Sequence, residues 1–292
     1  MKKLIIIIAL LNVVLLLPAQ RRKPAYVEVE LGGGMMSMPY DQNSTQFVRG
    51  GNFDLGVRYS LLFNGRKGWG ITTGLGFSTF QGSIVLNENY AFPAIDSEGD
   101  PYELRVKVQN WNEKQHIYYM NVPLSVFYQY KPRLGSGWFT SLGLKLYVPL
   151  GGTYNVPTGG MTTAGYYEQW GGTLMENLPQ HGFGYFESFN PKGKIKANFL
   201  VSAQFMFGAL IHIDRKNEAF IAGYVEHGLY DLINPAKDVP LFRSAGQDAS
   251  GNFTGEYSGY YLSSMVQNTI PLMIGVRIGW RFKDIHGCNC IR

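Results

Sequence analysis

From Thr269 to Phe282 the chain alternates with period two. Ile270, Leu272, Ile274, Val276, Ile278, Trp280 and Phe282 fall on one face; Thr269, Pro271, Met273, Gly275, Arg277, Gly279 and Arg281 fall on the other. Successive side chains of a strand point to opposite sides, so the pattern predicts a strand with one apolar wall and one wall of small or cationic residues. Globular strands average roughly 5 to 6 residues, whereas a tilted strand crossing a bilayer needs about 9 to 11. This segment is long enough to cross.

Seven earlier segments carry the same signal. The first runs from about Ala25 to Gly34 and sets Val27, Val29 and Leu31 against Tyr26, Glu28 and Glu30. The second, Gly51 to Phe63, opposes Phe53, Leu55, Val57, Tyr59 and Leu61 to Asn52, Asp54, Gly56, Arg58 and Ser60. Asn64-Gly65 then gives a hairpin signal. The third opens at Trp69, and the fourth ends with Tyr118, Met120, Val122, Leu124, Val126, Tyr128 and Tyr130 on one face. Its alternation extends back through Leu104, Val106 and Val108, further than a bilayer requires, so strands three and four are expected to project as a ribbon. The fifth runs from Trp138 to about Leu150, the sixth from Ile195 to Ile213, and the seventh from Ala219 to Leu232. In the seventh the phase is open, because Glu226 and His227 cannot both face away from lipid.

The turns after strands two, four and six are short, and the connections Ser37 to Gly50, Asn87 to Tyr102, Gly151 to Gly193 and Asn234 to Tyr260 are long. An even strand number with this alternation predicts an all-β fold: an eight-stranded antiparallel up-and-down transmembrane β-barrel with short periplasmic turns and long extracellular loops. Trp69, Tyr128, Tyr130, Trp138, Trp280 and Phe282 cluster at strand ends beside the short turns or the C-terminus, as an interfacial aromatic girdle requires. A water-soluble barrel alternates equally well, and periodicity alone does not say which face is wet.

Composition agrees with a Gly-rich, aromatic-rich β protein: charged residues are 16%, aromatics 14%, and glycines number 36 among 292 residues. Lys2 and Lys3 precede an apolar run from Leu4 to Leu17, then Pro18-Ala19, which reads as a secretory signal peptide, residues 1–19, cleaved after Ala19. Residues 20–282 are then the barrel and 283–292 a periplasmic tail. Removing Lys2 and Lys3 takes the formal charge from +5 to +3. The sole basic run, Arg21-Arg22-Lys23, forms no stripe, so nucleic acid is not an expected partner.

The bore of an eight-stranded barrel is just wide enough for side chains to fill. Glu28, Glu30, Asp54, Arg58, Lys145, Arg277 and Arg281 fall on inward faces, with Glu226 as a further member. Closure of strand eight on strand one should bring Glu28 and Glu30 near Arg277 and Arg281, giving a salt-bridged plug; a water-filled channel through the same charges is the alternative. Pro123, Pro149 and Pro271 also fall inward, and a closed barrel has no edge for them, so bulges or strand ends are expected there.

Tyr118-Tyr119-Met120-Asn121-Val122-Pro123-Leu124, Gly143-Leu144-Lys145-Leu146-Tyr147-Val148-Pro149-Leu150 and Tyr224-Val225-Glu226-His227-Gly228-Leu229 resemble recurring segments of the small outer-membrane barrels of Bacteroidota, the PorT-like and OmpA-barrel-like group. The resemblance spans roughly Ala25 to Phe282. It implies a fold and an outer-membrane location and brings no catalytic residues with it.

No Gly-x-Ser-x-Gly, His-Glu-x-x-His or phosphate-cradling motif occurs. His116 has the lipid-side phase, His181 lies in the longest loop with Glu168, Glu176 and Glu187, and His212 is inward near a turn. His286, Cys288 and Cys290 offer three soft ligands where structural zinc takes four, so no metal or cofactor is expected. The expected role is structural or interaction-based at the cell surface, not enzymatic, with a narrow porin-like channel or an accessory barrel of a secretion or surface-assembly machine as alternatives. The partners this implies are outer-membrane lipid, the barrel-assembly machinery during biogenesis, and a surface or periplasmic protein.

Overall fold

The computed structural model describes residues 25–39, 47–63, 67–132, 135–186, 190–233, 239–243, 256–264, 266 and 269–283. The expected signal peptide and the tail with His286, Cys288 and Cys290 lie outside them. Eight long strands make the frame: β1 (Ala25–Pro39), β2 (Phe47–Leu62), β3 (Lys67–Leu86), β4 (Pro101–Tyr130), β5 (Gly137–Tyr167), β6 (Leu200–His212), β7 (Asn217–Gly228) and β8 (Leu272–Lys283). Each pairs antiparallel with the next, and β8 returns to β1 with Arg281 opposite Glu28 and Arg277 opposite Gly32, closing the ring.

The period-two pattern fixes which residues face the bore. Leu124 and Leu144 are cross-strand partners on the outer wall, 53% and 46% exposed, while their neighbours Ser125 and Lys145 are buried inside. Leu55, Val57, Leu142, Phe205, Ile221 and Ile278 continue the exposed apolar band around the ring. A water-soluble barrel buries its apolar face. Here the charges are inside and the aliphatic residues outside, the arrangement that suits a ring surrounded by hydrocarbon. In β7 Glu226 points inward and is fully buried, while His227 points out and is exposed, which settles the open phase.

Four sequence expectations need correction at the long-loop end. β5 does not stop near Leu150 but continues to Tyr167, paired with β4 as far as Glu103. The projecting sheet is therefore built on β4 and β5, with β3 ending at Leu86 and a separate strand, Asn89–Ile95, along the outer edge of β4. From Ile117 to Pro101, β4 carries about 50 Å of strand past the barrel. Leu104, Val106 and Val108 are also buried, not on the outer wall. The register shifts between Gln109 and Lys114, with Asn110 at φ 51°, so the extra residue turns the even positions inward. Past the lipid there is no apolar solvent, and the sheet must bury its aliphatic residues against its own loops. β6 is likewise shorter than expected: Ile195 is buried, and Lys192–Lys194 forms a separate short strand on β5.

The prolines sit where the ladder tolerates them. Pro149 lies at a bulge, where Tyr118 pairs with Gly151 and Tyr119 with Pro149, and Pro271 immediately precedes β8. Pro123 keeps its partner Lys145 on β5, but on the β3 side the pairs Thr73 with Leu124 and Gly76 with Asn121 flank a gap. The ladder skips the position where proline has no N–H to give.

Candidate functional site

The bore is filled by a ladder of charges. Nearest the short turns, Arg281 Nε lies 2.8 Å from Glu28 Oε1, its guanidinium is 4.5 Å from the Tyr26 ring centroid, and Lys131 pairs with Glu218. One level further in, Glu30 meets Arg58 and approaches Arg277 Nε at 3.7 Å. At the centre, Arg277 Nη2 is 3.0 Å from Asp54 Oδ2, the same oxygen that Lys145 contacts, and Lys145 Nζ is 3.9 Å from Glu226 Oε2. All eight charged residues read from the sequence face this interior, each less than a tenth exposed.

Neutral partners complete the centre. Ser78 donates to Asp54 Oδ1 at 3.1 Å, and Asn121 Nδ2 donates to the same oxygen at 3.0 Å. Tyr147 Oη donates to Glu226 Oε1 at 2.5 Å, Ser202 reaches that oxygen too, and Asn52 Nδ2 donates to Tyr224 Oη at 2.7 Å. With its amide oriented so that the oxygen and not the nitrogen faces the guanidinium, Gln204 accepts from Arg277 at 2.9 Å from Nη1 and 3.1 Å from Nη2. A buried ion pair repays its desolvation only when further hydrogen bonds satisfy the remaining atoms; these residues do so for Asp54 and Glu226, while among the described residues Glu30 Oε2, Arg58 Nε and Arg277 Nε make no hydrogen bond. Sequence reading missed Glu218, Lys131, Tyr224 and Gln204 as members. The parity of Tyr224 and Gln204 with Glu226 and Ser202 was the available signal.

Beyond the charges aromatic rings pack against one another inside the bore. Phe80, Tyr119 and Tyr147 form a triangle with centroids 5.2 to 5.6 Å apart. Above it the strand pair Phe242–Arg243 and Glu256–Tyr257 lays Phe242 and Tyr257 against Trp111, at 5.6 and 5.2 Å. Toward the short turns a polar cavity of ≈ 20 Å³ is lined by Glu30, Arg58, Ser125 and Ser141 together with Phe139 and Phe220. That is room for about one water.

The cap holds a further buried carboxylate that the sequence did not single out. Glu113 lies past Tyr118, beyond the outward apolar run of β4. Its Oε1 accepts from Gln115 Nε2 at 2.5 Å, and its Oε2 accepts from the Tyr260 N–H at 2.9 Å and from the Tyr257 hydroxyl. Burial pushes its carboxyl up, the three hydrogen bonds opposing this. Burial and the nearby Glu113 push the Tyr154 phenol up to about 12.

The girdle residues stand on the outer wall at the short-turn end. Trp69 and Tyr128 meet edge-on at 5.4 Å, and Trp138 lies 5.7 Å from Tyr128 and 6.2 Å from Tyr130. Trp280 and Phe282 are exposed on β8. His116 faces outward, His181 is exposed, and His212 is exposed at its turn. No cluster of three metal-ligating side chains occurs among the described residues, and Glu187 lies outside them.

No protein-family profile matches the chain, and no curated protein matches it. Solved structures do. The attachment invasion locus protein Ail of Yersinia pestis, in complex with the heparin analogue sucrose octasulfate, aligns over 88% of this chain and 99% of its own at 10% identity, with a TM-score of 0.29. Neisserial surface protein A aligns over 87% and 95% at 7% identity, TM-score 0.35. The outer membrane protease OmpT from Escherichia coli aligns over 91% and 98% at 7% identity, TM-score 0.27. The register and the two walls described above make the chain an eight-stranded antiparallel transmembrane β-barrel.

Proposed function

We propose that this chain is an outer-membrane barrel with a closed, salt-bridged lumen, acting through the sheet it projects beyond the long-loop end. The observation that carries the reading is the pairing of bore charges with one another beneath an aromatic cap. A conducting pore leaves its lining charges to water, whereas here Asp54 is shared by Arg277 and Lys145. The projecting sheet supports an interaction role, with Ile95 and Tyr185 exposed on it. The reading orients the long loops outward and both chain ends toward the periplasm, after export by residues 1–19. The likeness of three segments to the Bacteroidota barrels fits the same placement.

Photo-crosslinking in intact cells tests the role. A crosslinking residue at Tyr185 or Ile95 is expected to give discrete adducts, and one at Lys216 in a short turn none. Adducts from Lys216 alone would assign the chain instead to a periplasm-facing assembly as an accessory subunit. Adducts from neither would contradict an interaction role.

A further inference from the structure

The outer wall changes character where β4 and β5 leave the apolar band. On β4 the outward positions run from Tyr118 to His116 and Lys114. In the register, Lys114 lies opposite Asn155 and His116 opposite Thr153, and the short strand on the far side of β5 brings Lys192 opposite Asn155 and Lys194 opposite Thr153. Directly opposed residues share a face. The intervening positions Gln115 and Tyr154 are buried, so the three lysines and the histidine point away from the bore. Adjacent strands are about 4.8 Å apart and alternate residues about 6.7 Å, which sets the three lysines and the histidine on a rectangle of roughly 10 by 7 Å.

Among the described residues none of the four forms an ion pair. Tyr118 and Phe77, stacked at 6.2 Å, lie directly below on the apolar side. The rim is not cationic all round. On β1 and β8 and just past the end of β7, the exposed residues toward the same end include Met35, Leu272 and Leu229. A one-sided cluster of unpaired lysines, one step beyond lipid-facing rings, stands at headgroup depth.

We infer that Lys114, His116, Lys192 and Lys194 form a binding site for the phosphate-bearing headgroup of an anionic lipid, whose chains lie along Tyr118 and Phe77. The site rests on the membrane reading above. Lysine binds phosphate as a point charge, and basic residues near an anionic surface gain from it individually.

The test is native mass spectrometry of the full-length protein in detergent, titrated with phosphatidic acid or phosphatidylcholine of the same acyl chains. The wild type is expected to retain phosphatidic acid preferentially. Retention should fall by roughly fivefold per lysine replaced, on the order of a hundredfold for Lys114→Gln/Lys192→Gln/Lys194→Gln together. Lys192→Gln/Lys194→Gln alone, off the barrel ring, should show the intermediate loss if the triple variant misfolds. Inorganic phosphate in excess should not displace the lipid; displacement would make the site one for free phosphate and overturn the inference. Equal retention of the two lipids, or a preference that survives the variants, overturns it as well. Flotation with phosphatidylcholine vesicles reports separately on membrane insertion, so loss of the headgroup preference and failure of the barrel reading give different results.

Discussion

Arg277 on β8 reaches across β1 to Asp54 on β2, Nη2 to Oδ2 at 3.0 Å, and both side chains are buried. Asp54 also holds Lys145 from β5, on the far side of the bore. One carboxylate thus ties the closing strand to the opposite wall. Removing one partner of a buried pair leaves an uncompensated charge, so Arg277→Met should destabilise the barrel by about 3 to 5 kcal/mol. Arg277→Met combined with Asp54→Asn should cost less than the sum of the two single changes. Denaturant unfolding in detergent or lipid measures both, and an unchanged midpoint in Arg277→Met would remove the pairing from the account.

The outer wall predicts a cost that the same substitution would not carry in a soluble protein. Leu144 is half exposed at mid-strand. In water, Leu144→Arg at such a position would be close to neutral. In hydrocarbon it should cost about 2 to 4 kcal/mol. Unfolding of the lipid-reconstituted variant distinguishes the two.

Glu113 couples the cap to pH. Its carboxyl is raised in the folded state, first by burial. The folded cap therefore binds a proton that the opened cap releases, and its stability is fully present below the ordinary carboxylate range and declines as pH rises through the raised value. Hydrogen exchange of the 256–264 segment should quicken with rising pH beyond the intrinsic trend. In Glu113→Gln the extra dependence should vanish; its persistence would assign the effect to another group.

Gly159 lies at φ +141°, and a Cβ there would sit 2.7 Å from Trp111 Cα. Gly159→Ala should loosen the projecting sheet by about 1 to 3 kcal/mol while leaving the ring intact. Limited proteolysis should then cut within 87–109 and 151–167 at an unchanged barrel melting temperature. Loss of both together would mean that sheet and barrel fold as one unit.

Much of this architecture was legible because lipid enforces period two. From Tyr118 to Tyr130 and from Leu272 to Phe282 no side chain has the wrong parity, and the charges that fill the bore could be read position by position. Legibility failed where the lipid ends. β5 shifts parity at Pro149 and again before Gly159, so a continuous strand of 31 residues looks like a loop of Gly, Thr and Tyr. Leu104, Val106 and Val108 kept their alternation but lost its meaning, since a bulge at Asn110 turned them toward the core. Glu113 left no trace in the sequence, because its partners Tyr257 and Tyr260 lie far along the chain.

Single-channel conductance of the refolded protein in a planar bilayer addresses the closed lumen most directly. With the paired charges and the aromatic cap in place, the account predicts a silent membrane from protein whose circular dichroism confirms a folded barrel. Stable current steps that change when Arg277 or Glu28 is neutralised would show that ions pass those charges, and the salt-bridged plug would be wrong.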